Sequence, residues 1–283
     1  MPGKFLIREL QELYDLYYSL ASSFFNHEIL KYDSNSALAL SEAKWICCSY
    51  SLENNGFWSD VRGAAVSGDL DASRAFCSYM LIEKSDIWES EIEELYRRKI
   101  ELIDSESTGL SCNTLSKLIF LGGDLWRLKE SDWLNISLAK CVAIALNDFF
   151  DVNEDTFYKS WSLETHMDNS AEYCSIYHKF LLLEAIAAEA DRCEDENLWS
   201  WVFSRVESCS LKVDGDPEVG YGEIIRPLSL RCWLKSADSR YLSYVARPFG
   251  VFLEDSKKFL QLQAVCSTLF ILKSFIFENY SNH

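Results

Sequence analysis

The stretch that decides the fold runs from Ala171 to Cys193 and reads AEYCSIYHKFLLLEAIAAEADRC. Its apolar residues recur at three- and four-residue steps, which is the spacing of one face of an α-helix. These residues are Tyr173, Ile176, Tyr177, Phe180, Leu183 and Ala187. Further apolar residues fill most of the other faces, and a helix that is apolar almost all round is normally surrounded by other helices. The stretch therefore predicts the central helix of an all-helical domain.

Composition also favours an all-α fold. Hydrophobic residues make up 48% of the 283 residues, while four Pro and eleven Gly are few for this length. Sandwiches and barrels need many tight turns, so a scarcity of turn-forming residues favours long helices. We predict a single large domain of packed antiparallel helical hairpins over residues 1–283, with two intimately packed halves, 1–150 and 151–283, as the alternative. Helical periodicity breaks near residues 241–252, where one short extended segment is expected.

Local patterns predict where several helices begin and end. Asp69 is placed to cap the helix that follows it, and Pro227 is placed in the first turn of another. Gly122 and Gly123 interrupt a helical pattern and predict either a break or the close approach of another backbone.

The net charge narrows the classes of partner. The chain carries 27 Lys and Arg against 44 Asp and Glu, a net charge of −17. Such a surface repels phosphate backbones and anionic membranes, so we expect no nucleic-acid and no membrane partner. It also attracts basic proteins and speeds their association. The alternative is that the acidity serves only to keep the protein soluble.

The cysteines and the amino-terminal sequence indicate a compartment. Ten cysteines are spread through predicted helices without any CxxC pair, and free cysteine behaves as a small buried hydrophobe. The first residues, MPGKFLIRELQEL, lack the apolar core and cleavage site of a signal peptide. Together these features predict a cytoplasmic protein with reduced thiols.

A search for reaction chemistry finds no established motif. The sequence contains no HExxH, GxSxG or phosphate-binding glycine pattern, so we expect no catalytic residues, no metal site, no cofactor and no enzymatic activity. Glu184 projects from the apolar side of the central helix, and a buried carboxylate needs a partner or a raised pKa. A structural role for Glu184 is favoured. The alternative is a helical enzyme built from distant carboxylates with His166 or His178.

The remaining profile is that of a protein that acts by binding another protein. We predict an acidic, aromatic binding surface drawn from two parts of the chain. Its residues are Asp151, Glu154, Asp155, Trp161, Asp191, Glu194, Asp195, Trp199 and Trp201. The tryptophans would serve as anchors if they are exposed, because binding hot spots favour Trp. The alternative places them in the core.

One stretch resembles a known family. The segment Arg226–Leu234 (RPLSLRCWL), followed after a polar break by Tyr244–Leu253 (YVARPFGVFL), is similar to a pattern in helical bacterial immunity proteins of polymorphic-toxin systems, in the family numbered forty-nine. The resemblance implies a cytoplasmic protein that binds a cognate toxin and blocks its active site, and a basic nuclease-type toxin would suit the acidic surface. A helical scaffold or effector is the alternative function from another class.

Overall fold

The computed structural model of this chain is all-α over the residues it describes. These are residues 10–20, 55–83, 90–105, 110–150, 170–210 and 225–245, with 264–265, 267–269, 271–272 and 275 near the carboxyl end. Of these residues 90% are helical, in 11 helices and without a strand, so the predicted fold class is confirmed.

The helices are numbered in chain order among the described residues. They are α1 (residues 10–20), α2 (Asn55–Val66), α3 (Leu70–Glu83), α4 (Ser90–Ser105), α5 (Cys112–Leu128), α6 (Asp132–Phe149), α7 (Ser170–Arg192), α8 (Glu196–Ser210), α9 (Arg226–Ser236), α10 (Ser239–Val245) and α11 (the described residues among 264–275).

The chain divides into two compact units. Unit 1 combines Met1–Glu83 with Val219–His283, and unit 2 is Lys84–Glu218. Residue 150, where the sequence-based alternative places a boundary between halves, lies inside unit 2.

In unit 1, a buried polar network joins helices that are distant in sequence. The Tyr17 hydroxyl on α1 donates a hydrogen bond to the backbone oxygen of Val245, at 3.0 Å. Arg226 Nη1 donates to the same oxygen at 3.0 Å and to the Tyr17 hydroxyl at 3.2 Å. Because Arg226 and Tyr17 are almost completely buried, these bonds satisfy polar groups that water cannot reach. The network therefore fixes α1 against the α9–α10 pair.

The predicted helix-terminal residues of unit 1 are in place. Asp69 Oδ1 accepts hydrogen bonds from the backbone nitrogens of Asp71 and Ala72, both at 3.0 Å, and so caps α3. Pro227 lies in the first turn of α9. Residues 241–245, however, belong to α10, so the predicted extended segment is wrong there, and residues 246–252 lie outside the described part of the chain. The seven-residue helix is held by its buried residues Tyr241 and Val245.

In unit 2, α7 is the core helix that its sequence predicts. Its residues from Phe180 to Ala190 are all buried except the half-buried Ala188. Helix α7 packs most extensively against α5, and it also contacts α8 and α6. Burial of such a run of apolar side chains stabilises the unit by about 25 cal/mol for each Å² removed from water. Unit 2 is thus organised around α7.

Helix α5 continues through the two glycines that its pattern places near a break. A β-carbon at Gly122 would overlap the Tyr96 hydroxyl and lie 2.8 Å from Leu138 Cδ2, whereas one at Gly123 would meet nothing within 4 Å. What approaches Gly122 is therefore a side chain of α4 and one of α6, and not another backbone. The Tyr96 ring also packs edge-on against Trp133, with 5.8 Å between ring centroids.

Candidate functional site

The candidate site is the turn between α7 and α8, residues 191–197, which we call the acidic turn. Helix α7 ends in a Schellman motif: the Asp195 backbone nitrogen donates to the Ala190 oxygen at 3.0 Å, and the Glu194 nitrogen donates to the Asp191 oxygen at 3.2 Å. The motif needs a left-handed residue, and Glu194 fills that position with φ of 52°. Glycine usually occupies this position, because it adopts a left-handed conformation without strain. In this turn the position holds a glutamate instead.

Asp195 caps the next helix, α8. Its Oδ1 accepts hydrogen bonds from the backbone nitrogens of Asn197 at 2.9 Å and Leu198 at 3.0 Å. These bonds satisfy amino-terminal N–H groups of α8 that have no partner within the helix. The carboxylate is therefore held in one orientation while the residue remains exposed to solvent.

The surface of the acidic turn is strongly negative. Asp191, Glu194, Asp195 and Glu196 are all exposed. The one basic residue of the turn, Arg192, points its side chain inward, where only 7% of it is exposed. Because that cation lies inside, it does little to offset the carboxylates outside.

Arg192 is held inside by a bidentate ion pair with Glu189. Its Nε lies 2.7 Å from Glu189 Oε2, and its Nη2 lies 2.6 Å from Oε1. This paired hydrogen bonding, which outweighs the opposing effect of burial, raises the pKa of Arg192 above its ordinary value. Only 5% of Glu189 is exposed, so the pair neutralises two charges that would be costly to bury alone.

The same guanidinium connects the turn to two neighbouring helices. Nη1 of Arg192 donates a hydrogen bond to Asn135 Oδ1 on α6, at 2.7 Å. Its Cζ lies 4.6 Å from the centre of the Trp126 ring on α5, in a cation–π arrangement. The acidic turn is consequently fixed to the packed helices of unit 2.

Cys193 adds a thiol to this ion pair. Its Sγ donates to Glu189 Oε1 at 3.2 Å and accepts from Arg192 Nη2 at 3.1 Å. Partial burial, together with the hydrogen bond to Glu189, raises the pKa of the Cys193 thiol to about 11. The thiol is therefore protonated at neutral pH and acts as a hydrogen-bond donor.

Trp199 is removed from the predicted binding surface. Its side chain is completely buried, because the first turn of α8 directs it toward the core. The indole nitrogen donates to Asp191 Oδ1 at 3.2 Å, and the ring stacks on Phe203 with 5.3 Å between centroids. Trp199 therefore holds α8 against the end of α7, in agreement with the alternative that places the tryptophans in the core.

Trp201 remains partly accessible at the edge of the acidic turn. It is half-buried, and its ring packs edge-on against Phe150 with 5.1 Å between centroids. The Arg205 guanidinium lies 5.5 Å from the ring centre. Of the predicted binding residues, the structure thus brings Asp191, Glu194, Asp195 and Trp201 onto one short segment. The others, Asp151, Glu154, Asp155 and Trp161, lie outside the described residues.

The residues considered for an enzyme do not come together as a described site. Glu184 is buried at 5% exposure in α7, and it interacts with other groups there. His178 is half-buried on the same helix, and His166 lies outside the described residues. Within the described part of the chain, no group of three or more His, Cys, Asp or Glu could hold a metal ion.

The buried contacts of Arg192 were not predicted from the sequence. The Glu189–Arg192 spacing of three residues permits an ion pair on one helix face, which is the only local indication of it. The contributions of Asn135 and Trp126 come from other helices, so no local pattern could have identified them.

Comparison with known proteins finds no matching protein-family model, no matching curated protein and no matching solved structure.

Proposed function

We propose that this chain is a non-enzymatic immunity protein, which acts in the cytoplasm by binding and occluding a cognate bacterial toxin. The observation that supports the proposal best is the acidic turn: four carboxylates are exposed within six residues, while the intervening Arg192 is turned inward. A rigid negative surface of this kind suits a basic protein partner, such as a nuclease-type toxin.

Electrostatic attraction would speed the association of this surface with a basic partner. Complementary charge steers two proteins together and can raise the association rate constant from about 10⁵–10⁶ to as much as about 10⁸–10⁹ M⁻¹s⁻¹ at low salt. The net charge of −17 supplies a long-range field, and the acidic turn supplies a local one. A protein that must capture a toxin before it acts benefits from a fast encounter.

Trp201 would supply an apolar anchor beside the charges. Interface hot spots are enriched in Trp, and they lie among contacts that exclude water. The half-buried Trp201 is supported from behind by Phe150, so it loses little side-chain freedom when a partner covers it.

The direct test is neutralisation in cells. The gene beside the one that encodes this chain is expressed from an inducible promoter in a host that lacks both, with and without this protein. We expect that product to arrest growth alone, that co-expression restores growth, and that the two purified proteins form a stable complex. Arrest that continues in the presence of soluble protein would overturn the proposal.

A further inference from the structure

Helix α6 presents an apolar strip that no described helix covers. Its buried residues face the core of unit 2: Leu134, Ser137, Leu138, Cys141, Val142 and Ala145. On the other side Ile136, Ala139 and Ala143 are exposed at three- and four-residue steps, and we call these residues the α6 strip. Ile136 is 68% exposed, more than any other exposed large hydrophobic residue of the described chain.

The shape of the α6 strip suits a helix as its occupant. Ala139 and Ala143 are four residues apart, so they form a shallow row along α6 beside the side chain of Ile136. Helices pack by laying a ridge of side chains into such a row, and small residues allow the two axes to approach closely. An extended strand would need unpaired backbone groups at a sheet edge, which a helix does not offer.

The charges around the strip indicate the chemistry of that helix. Asp132 is exposed one turn before Ile136, and the half-buried Lys140 lies one turn after it on the same face of α6. The strip also adjoins the acidic turn, because Asn135, one residue before Ile136, accepts the 2.7 Å hydrogen bond from Arg192. The amino-terminal end of the strip is thus bordered by carboxylates, those of Asp132 and of the acidic turn.

From this arrangement we infer that the α6 strip is a docking surface for a basic amphipathic helix of a partner protein. The apolar face of that helix covers Ile136, Ala139 and Ala143, while its Lys and Arg residues face Asp132 and the acidic turn. The inference deepens the proposed function, on which it rests, by naming the element of the partner that this surface binds.

A lipid surface is the competing occupant. The segment Asp132–Phe150 is long and apolar enough to cross a membrane by length and composition alone, and 39% of its most apolar window is buried inside the protein. The carboxylates that border the strip would repel anionic lipid headgroups, whereas they attract a basic helix. The protein partner is therefore the occupant that the charges favour.

The test uses designed peptides and the full-length protein. The probe is a fluorescent helical peptide of about 18 residues, with Leu along one face and Lys and Arg on both flanks. A scrambled peptide of the same composition keeps the charge and loses the apolar face. Binding is followed by fluorescence anisotropy for the unaltered protein, for Ile136→Asp, and for the matched variant Leu102→Asp, which alters another exposed residue of unit 2.

We expect the amphipathic peptide to bind at least about tenfold more tightly than the scrambled one, because burial of its apolar face adds to the shared charge. Ile136→Asp should weaken binding about tenfold or more, although it adds a negative charge, and Leu102→Asp should leave it within about twofold. Unchanged melting temperatures establish that the variants are folded. Equal effects of the two variants, or equal binding of the two peptides, would overturn the inference.

Two further measurements separate this inference from the proposed function. The first is binding of the protein to vesicles of phosphatidylcholine and phosphatidylglycerol. If the protein binds these vesicles, loses that binding with Ile136→Asp and does not bind the peptide, the strip contacts a lipid surface and the protein partner is refuted. The second is the growth assay. If the Ile136→Asp variant neutralises the toxin as well as the unaltered protein does, the docking surface is refuted and the proposed function is not. Failure of the unaltered protein to neutralise refutes the proposed function itself.

Discussion

The hydroxyl of Tyr96 occupies the space that a β-carbon at Gly122 would need. This contact sets how closely α4 lies against α5, and the same ring also packs against Trp133 of α6. Burial raises the pKa of Tyr96 well above its ordinary value, so the hydroxyl stays neutral in the folded protein. Side chains of α4 and α6 therefore meet the α5 backbone at Gly122, where there is no room for a β-carbon.

The two adjacent glycines of α5 should respond in opposite ways to the same substitution. Gly122→Ala places a methyl group against Tyr96 and Leu138, and such overpacking costs about 1–3 kcal/mol. Gly123→Ala meets nothing within 4 Å and should stabilise the helix by about 0.5–1 kcal/mol. Urea unfolding of both variants measures the difference. A gain of stability with Gly122→Ala would contradict the packing described here.

Much of this architecture follows from helical periodicity, and its exceptions have physical causes. The apolar pattern of Ala171–Cys193 predicts α7 because a helix surrounded by other helices must be apolar on nearly all sides. The contact between Tyr96 and Gly122 could not be predicted, since it depends on how two helices cross. The short helix α10 was missed for a similar reason: burial of Tyr241 and Val245 overrides a weak local pattern.

The left-handed conformation of Glu194 should cost stability. At a φ of 52° the β-carbon of an ordinary residue is crowded, at a cost of roughly 1–2 kcal/mol. We expect Glu194→Gly to raise the free energy of unfolding by about 1 kcal/mol. Glu194→Gln removes the charge and keeps the β-carbon, so its stability should stay within about 0.5 kcal/mol of the original.

A second left-handed residue provides an independent check. Ala237 ends α9 with a φ of 58°, and Ala237→Gly should stabilise the protein in the same direction without changing any charge. Chemical denaturation of these variants under identical conditions gives the comparison. If neither glycine variant is stabilised, the left-handed helix ends described here are incorrect.

Capping and charge can be separated at Asp195. Asp195→Ala removes the acceptor for the backbone nitrogens of Asn197 and Leu198, and the loss of such a cap costs about 0.5–2 kcal/mol. Asp195→Asn keeps an oxygen in the same position, so it should retain most of the stability while it removes a negative charge. Thermal melts distinguish the two variants. Equal destabilisation by Asn and Ala would show that the carboxylate does not act as a cap.

The thiol of Cys193 should react slowly for an exposed cysteine. Its pKa of about 11, against an ordinary value of 9.0, reduces the thiolate fraction at pH 8 by about a hundredfold. The higher nucleophilicity of the more basic thiolate recovers about tenfold, so alkylation should be about tenfold slower than in the urea-unfolded chain. Mass spectrometry after timed iodoacetamide treatment measures both rates. Equal rates in the folded and unfolded chains would refute the raised pKa.

The same pKa has a defined effect on stability. Because folding raises the pKa, the contribution is complete below about pH 9 and is lost as the pH rises toward about 11. The free energy of unfolding should therefore fall more steeply over this range in the original protein than in Cys193→Ser, whose hydroxyl does not titrate there. Parallel curves for the two proteins would count against the hydrogen-bonded thiol.

The candidate site was predictable in composition and not in geometry. A run of carboxylates between two apolar segments predicts an acidic connector. The inward direction of Arg192 depends on Asn135 and Trp126, which lie on other helices. The burial of Trp199 likewise follows from its register on α8, and a tryptophan beside acids looks the same in sequence whether it is buried or exposed.

The most direct test of the binding proposal is the association rate constant between the purified chain and the product of the neighbouring gene, which under the proposal is the cognate toxin. Two variants each remove three negative charges from unit 2. The first changes the acidic turn (Glu194→Gln, Asp195→Asn and Glu196→Gln), and the second changes exposed residues of α4 (Glu91→Gln, Glu94→Gln and Glu101→Gln). Each set includes a carboxylate in the first turn of a helix, Glu196 in α8 and Glu91 in α4, and the first set also changes the α8 cap Asp195 to Asn, which keeps the capping oxygen.

At about 50 mM salt the acidic-turn variant should associate about tenfold more slowly than the original protein, and the difference should shrink at about 500 mM salt. The α4 variant should slow association less than about threefold, because the same loss of net charge lies away from the binding surface. An equal reduction with both variants, or no reduction with either, would contradict the claim that the acidic turn binds the partner.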